Sequence, residues 1–201
     1  MAQAGDPDLV TFWRSAAKFF QAIPLLTDGA ADALGITDAE LGLACASHNG
    51  EPRHVELAAS LLARASCGGA DLACGPHPSL AEPVVRAMAA RGEKPTRLHS
   101  NCSGKHAGML CLAKSEGWPL TGYELPDHPL QQLMHRTVAE VCGMETAAVP
   151  MAIDGCNVPV FAMPLVAMAR GYARLATATD SVAPRVRALA RIRAAMTTHP
   201  V

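Results

Sequence analysis

The spacing of hydrophobic and polar positions along the chain predicts helices over most of its length. In residues 52–65, Val55, Leu61 and Leu62 fall on one side of a helix, and Pro52 suits its first turn. Apolar spacing and helix-favouring composition predict further helices over residues 15–21, 31–34, 80–91, 104–115, 129–142, 159–178 and 182–196.

Few segments of the chain have the pattern of a strand. The apolar run at residues 41–46 stops at a polar turn, which is typical of a buried strand, and residues 149–153 form another short apolar stretch. Short strands among many helices predict an α/β fold, with α+β as the alternative. Because a sheet normally has about five or six strands, we expect residues 1–201 to form a single but partial domain.

The composition is that of a globular protein without a strong charge bias. Half of the residues are hydrophobic and the formal net charge is -1, so nucleic-acid binding is not expected. No apolar run reaches the roughly 18–20 residues of a membrane span, and residues 1–8 lack the features of a signal peptide. The seven cysteines include no Cys-x-x-Cys pair, so we expect reduced thiols and a cytoplasmic location.

Ser15 and Lys18 form a Ser-x-x-Lys element in the predicted helix over residues 15–21. Positions i and i+3 share one helix face, so the hydroxyl and the amine can meet. A serine needs a base to become a nucleophile, and a lysine serves only when it is neutral, which burial or a nearby cation such as Arg14 favours. The spacing alone is weak evidence, since it more often belongs to a solvated helix face.

Two polar turns are the next candidates. Residues 47–51, which include Ser47 and His48, follow the predicted strand 41–46, where side chains can be presented to a ligand. The alternative is an ordinary turn in which His48 bonds a carbonyl group. The second turn, residues 154–157, carries Asp154 and Cys156.

Residues 101–108 are the most unusual stretch, because Cys102, Lys105 and His106 crowd the start of a predicted helix. A thiolate there is stabilised by the helix dipole and becomes reactive or metal-binding. The pair Gly104 and Lys105 does not complete a phosphate-binding loop, since the required upstream glycine is absent. We interpret the remaining thiols and imidazoles as ordinary residues, namely Cys45, Cys67, Cys74, Cys111, Cys142, His54, His77, His99, His128, His135 and His199.

The chain resembles the Rhizobium etli-type, thermolabile (class 3) L-asparaginases over essentially its whole length. The resemblance is carried by four segments in this order, residues 13–18, 47–51, 101–109 and 154–157. The resemblance implies hydrolysis of L-asparagine to L-aspartate and ammonia. It also implies a fold similar to serine β-lactamases and penicillin-binding proteins, and a homodimer in the complete protein.

The resemblance assigns roles by position. Ser15 would be the nucleophile or its close partner, Lys18 its base and Ser47 a second active-site serine. The family's zinc ligands match Cys102, Lys105 and Cys156, and two thiolates with a neutral amine suit that metal. Zinc binding should then weaken as the pH falls. Substrate contacts are expected from Arg14, His48, His106 and Asp154.

The chain also departs from the family pattern. The family has a lysine partner for Ser47 beyond the point that corresponds to Val201, and strands before the point that corresponds to Met1, so we expect truncation at both ends. Phe19 stands where the family has proline, which lets the helix continue. Two alternatives remain: an inactive remnant that still binds zinc or substrate, and a penicillin-interacting serine hydrolase, which the lack of a Lys-Thr-Gly element disfavours.

Overall fold

The computed structural model describes residues 4–200. In this range a mainly helical body carries one small sheet. Its α-helices are α1 (Lys18–Gln21), α2 (Ile23–Thr27), α3 (Ala30–Ala33), α4 (Asp38–Cys45), α5 (Pro52–Arg64), α6 (Glu82–Ala90), α7 (Ser103–Ser115), α8 (Pro129–Cys142), α9 (Leu165–Thr177) and α10 (Pro184–Thr198). Short 3-10 helices span Arg14–Ala17, Gly69–Asp71, Arg97–His99 and Thr146–Ala148. None of the helices in residues 4–200 is both long enough and apolar enough to cross a membrane.

Three strands form the sheet, which is antiparallel throughout. The strand β3 (Pro159–Pro164) lies between β1 (Val10–Phe12) and β2 (Met151–Ile153). The first five residues of β3 are buried, whereas the two outer strands are exposed. The mixture of helices with a small antiparallel sheet confirms the predicted α/β or α+β class.

Helix α7 lies at the centre of the helical body. It packs against α4 and α5, and residues 103–113 are all buried. The backbone approaches α4 closely at Gly104, where an added Cβ atom would lie 2.5 Å from the Leu43 carbonyl oxygen. This close contact determines how the first turn of α7 is positioned against α4.

Two segments have a different structure from the predicted one. Residues 41–46, predicted as a strand, belong mostly to helix α4, whose start at Thr37 and Glu40 is a capping box. The helix is buried on all its faces from Glu40 to Cys45. Its sequence therefore lacks the alternation of apolar and polar residues that identifies an amphipathic helix. The predicted helix over residues 159–178 begins instead with strand β3, and only α9 is helical.

The other long helices are confirmed with small shifts of their ends. Helix α8 has the predicted bounds, α5 ends one residue early and α7 begins one residue early. The segment from residue 15 is a 3-10 helix followed by the short α1 rather than one helix. Phe19 is buried against Phe20 and Tyr172, so its bulky side chain fills the core beside Lys18.

Candidate active site

A cavity of about 590 Å³ opens where three of the candidate segments meet. Its walls come from the start of the 3-10 helix Arg14–Ala17, the loop 75–80, residues 100–102 before α7, and the turn 154–156. Ser15, Cys102 and Cys156 all line it. The fold therefore brings together side chains that lie more than 140 positions apart in the sequence.

Lys18 lies beneath this cavity with its amine held by three acceptors. It is only 1% exposed. Its Nζ lies 2.8 Å from the Ala46 carbonyl oxygen, 2.8 Å from Ser47 Oγ and 2.9 Å from the Asn101 carbonyl oxygen. Burial lowers the pKa of Lys18 below its ordinary value, although interaction with Cys102 opposes the shift.

The three contacts define how a neutral Lys18 would be oriented. A carbonyl oxygen can only accept, so Ala46 and Asn101 take the two N–H groups of a neutral amine. The lone pair then faces the hydroxyl group of Ser47, which can donate to it. The geometry suits Lys18 as a base toward Ser47.

Ser15 does not make the contact with Lys18 that their spacing predicts. Among residues 4–200, the hydrogen bonds of Lys18 Nζ go to Ala46, Ser47 and Asn101 and none goes to Ser15. The reason is local: Ser15 lies in a 3-10 helix and is exposed, while Lys18 begins α1 and is buried. Ser15 instead stands on the cavity wall.

The predicted zinc ligands do lie together. Lys105 Nζ donates to Cys156 Sγ over 3.1 Å. A hydrogen bond with Cys102 lowers the pKa of the Cys156 thiol and raises that of Cys102, so the pair holds one thiolate readily. Both thiols are buried, with Cys102 5% and Cys156 8% exposed.

This donor set fits a zinc ion. It offers two sulfur ligands and one amine, which are soft or borderline donors. Among the described residues, His106 Nε2 is buried without a hydrogen-bond partner, and the His106 side chain interacts with Cys156. Residues 4–200 contain no group of three His, Cys, Asp or Glu side chains arranged for a metal, and the predicted set includes only two such residues because its third member is Lys105.

Arg14 and Asp154 form an ion pair at the cavity wall. Arg14 donates from Nε over 3.1 Å and from Nη2 over 2.8 Å to the same carboxylate oxygen, Oδ1. That oxygen also accepts the Gly155 N–H group over 2.9 Å. The described residues use neither Asp154 Oδ2 nor Arg14 Nη1, so each can still bind a ligand.

The two histidines expected to contact substrate are buried, and neither lines the cavity. His48 Nδ1 accepts the Gly50 N–H group over 3.1 Å, so its Nε2 carries the proton and donates to Ser103 Oγ over 2.8 Å. Burial lowers the pKa of His48 to about 3. His106 Nδ1 lies 2.6 Å from the Tyr123 hydroxyl group.

Two polar residues of the cavity wall that bear on the Lys18 amine, His77 and Asn101, were given no role from the sequence. The Asn101 N–H group donates to His77 Nε2 over 2.9 Å, and the Asn101 carbonyl group is one of the acceptors for Lys18. The only signal was their setting: His77 stands in a Gly- and Pro-rich loop, and Asn101 directly precedes Cys102.

One comparison with known proteins identifies the family of the chain. The family model described as L-asparaginase II matches residues 1–201. No curated protein sequence matches the chain. The chain therefore belongs to the L-asparaginase II family and is an L-asparaginase, a hydrolase.

Proposed function

We propose that this cavity hydrolyses the side-chain amide of L-asparagine through a serine nucleophile, with Lys18 as the base. The observation that carries the proposal is the buried Lys18 amine, whose carbonyl contacts leave its lone pair for Ser47. Burial lowers the pKa of Lys18, which favours the neutral amine that a base requires. Family membership supplies the substrate class.

Ser15 is the proposed nucleophile because it is exposed on the cavity wall and its hydroxyl group is not engaged by Lys18. Its oxygen attacks the amide carbon, and the Ser47–Lys18 pair takes up its proton. The pair returns that proton to the departing nitrogen, so ammonia leaves and an aspartyl ester on Ser15 remains. Water then attacks the ester with the same pair as base, which releases L-aspartate and restores Ser15.

The ion pair of Arg14 and Asp154 suits the charged end of an amino acid. The free Nη1 of Arg14 can bind an α-carboxylate, and the free Oδ2 of Asp154 can accept from an α-ammonium group. His48 and His106 are buried away from the cavity walls. We therefore assign them to holding Ser103 and the thiol pair rather than to touching substrate.

Cys102, Lys105 and Cys156 would hold a zinc ion at the same cavity. When bound there, zinc supplies a positive charge that attracts the carboxylate of the substrate. The convergence of three of the four motif segments on one cavity also supports placing the chain in the Rhizobium etli-type class. A fold like that of the serine β-lactamases, a homodimer and a cytoplasmic location belong to this same proposal.

Replacement of the nucleophile tests the mechanism. Ser15→Ala should abolish ammonia release from L-asparagine while the zinc content of the protein stays unchanged. Mass spectrometry of the acid-quenched wild-type enzyme should find the aspartyl adduct on the peptide that contains Ser15. Ser115→Ala, at the far exposed end of α7, is the control and should keep full turnover.

Three results would contradict the proposal. An adduct on Ser47 would exchange the roles of the two serines. Full turnover by Ser15→Ala would show that Ser15 does not act as a covalent nucleophile. Loss of zinc from the same variant would show that the nucleophile and the metal ligands do not have separate roles.

A further inference from the structure

We propose that His77 is a positioning residue, which holds the backbone of Asn101 so that its carbonyl group orients the Lys18 amine. The inference rests on the proposed function, because it assigns His77 an effect on catalysis through Lys18. His77 lies at the cavity wall but outside every segment that carries the family resemblance.

The two ring nitrogens of His77 have fixed and different tasks. Nε2 accepts the Asn101 N–H group over 2.9 Å, so the proton of the neutral ring is on Nδ1. Nδ1 lies 2.7 Å from the Pro78 carbonyl oxygen, to which it donates. The ring is thereby oriented from its own loop and presents a single acceptor to Asn101.

Asn101 needs such a partner because no regular structure holds its N–H group. It lies in a turn between the 3-10 helix Arg97–His99 and α7. Its N–H group donates to His77 and its carbonyl group accepts from Lys18 over 2.9 Å. A rotation of the Asn101 backbone would move the carbonyl oxygen and release one of the two acceptors that direct the lone pair toward Ser47.

The loop of His77 is also tied to the segment that carries Ser47. Leu80 N donates to the Asn49 carbonyl oxygen over 2.9 Å, and Ser79 Oγ donates to the same oxygen over 2.5 Å. The loop 75–80 therefore joins the two chain segments that bind the Lys18 amine. His77 is the side chain that connects it to the second of them.

Two substitutions of His77 separate positioning from other roles. The oxygen of His77→Gln can reach the place of Nε2 and accept the Asn101 N–H group, whereas the shorter side chain of His77→Asn can reach only the Pro78 side. We expect kcat of His77→Asn for L-asparagine to fall roughly tenfold or more with KM within about twofold. His77→Gln should recover most of kcat, and both variants should keep the zinc content and unfolding midpoint of the wild type.

Other outcomes would overturn the inference. Equal loss of kcat in His77→Gln and His77→Asn would indicate proton transfer by the imidazole, because glutamine cannot perform it. A change of KM alone would indicate contact with substrate, and wild-type kinetics in His77→Asn would leave His77 without a role. Should His77→Asn lower the unfolding midpoint, His77→Leu, which fills similar space without an acceptor, takes its place in the comparison with His77→Gln.

The same series separates this inference from the proposed function. If Ser15→Ala keeps its turnover, the proposed function fails whatever the His77 variants do. If Ser15→Ala is inactive and His77→Asn has wild-type kinetics, only the positioning role of His77 fails.

Discussion

Lys18 shows how the surroundings of one side chain determine its chemistry. Removing an amine from water disfavours its charged form, and the three hydrogen-bond partners around Nζ compensate for the lost solvation. The Ser-x-x-Lys spacing singled out this lysine, and the structure shows that it is buried. It could not predict the partners, because Ser47 and Asn101 lie 29 and 83 positions further along the chain.

Asp154 offers a test of substrate recognition. Asp154→Asn keeps an oxygen for the Gly155 N–H group but removes the charge that faces Arg14. Loss of one charged contact to an α-ammonium group corresponds to about 1.5–3 kcal/mol, so KM for L-asparagine should rise by about tenfold or more with a smaller change in kcat. Steady-state kinetics measure both values.

The control for that variant is an exposed ion pair elsewhere on the molecule. Glu140→Gln breaks the pair between Glu140 and Arg185 and should leave KM unchanged, since surface pairs contribute little. An unchanged KM in Asp154→Asn would show that Arg14 and Asp154 stabilise the 154–157 turn and do not bind the substrate.

Helix α7 shows what burial does to the sequence pattern of an element. It is buried from Ser103 to Ala113, so its apolar residues do not form a single stripe. Composition rather than spacing predicted this helix, and the same lack of a stripe led to the wrong prediction of a strand in α4. Close packing of the two helices depends on Gly104, a contact that local pattern does not reveal.

Gly104→Ala should destabilise the protein through this contact. The new Cβ atom would lie 2.5 Å from the backbone oxygen and 2.8 Å from the side chain of Leu43, so α7 must shift. Overpacking of this kind costs about 1–3 kcal/mol, and urea unfolding followed by circular dichroism measures it. The zinc content should fall as well, because the shift moves Lys105.

Gly108→Ala is the matched control on the same helix. Its added Cβ atom meets the Ala44 side chain at 3.3 Å, and alanine is favoured over glycine within a helix by about 1 kcal/mol. We expect a clearly smaller loss of unfolding free energy than in Gly104→Ala. Equal losses in the two variants would mean that the approach at Leu43 is not limiting.

Buried ionisable groups make the stability of the whole molecule dependent on pH. Burial keeps His48 neutral in the folded state, with its pKa lowered to about 3. Burial would raise the pKa of Glu40, but hydrogen bonds from Arg64, Thr37 and Ser60 hold it below its usual value. Because the folded pKa of each group lies below its unfolded value, the stability it provides is present at neutral pH and is lost on acidification.

The two groups act in different pH windows. Glu40 loses its contribution only as the pH falls below about 4.5 toward its lower folded value, whereas the loss from His48 begins near pH 6.5 and continues toward 3. Between pH 6.5 and pH 5, the titration of His48 should by itself reduce the free energy of unfolding by about 2 kcal/mol. Burial also lowers the pKa of His54 and of His106, so these two histidines add to the loss in the same direction.

His48→Gln should reduce this dependence on pH. Between pH 6.5 and pH 5, its free energy of unfolding should fall by about 2 kcal/mol less than that of the wild type. Urea titrations of the metal-free proteins at several pH values give the slopes. His199→Gln, at an exposed position, should keep the wild-type slope, and an unchanged slope in His48→Gln would show that His48 does not titrate over a shifted range.

The sequence by itself determined the long helices, the mixed fold class, the family and five of the fourteen residues that line the cavity. Helix α8 and helix α5 follow from the spacing of apolar residues because each has one buried and one exposed face. The motifs around Ser15, Ser47, Cys102 and Cys156 were identifiable because their order along the chain is itself specific, and the L-asparaginase family to which they pointed is the one that matches.

Only the tertiary structure decided which of these residues touch. It directed Lys18 toward Ser47 and away from Ser15, and it placed His77 against Asn101. It also made a helix of residues 41–45 and a strand of residues 159–164. The physical reason is common to all of these: a completely buried segment has no polar face to give a period, and a hydrogen bond across many residues depends on packing that no local pattern encodes.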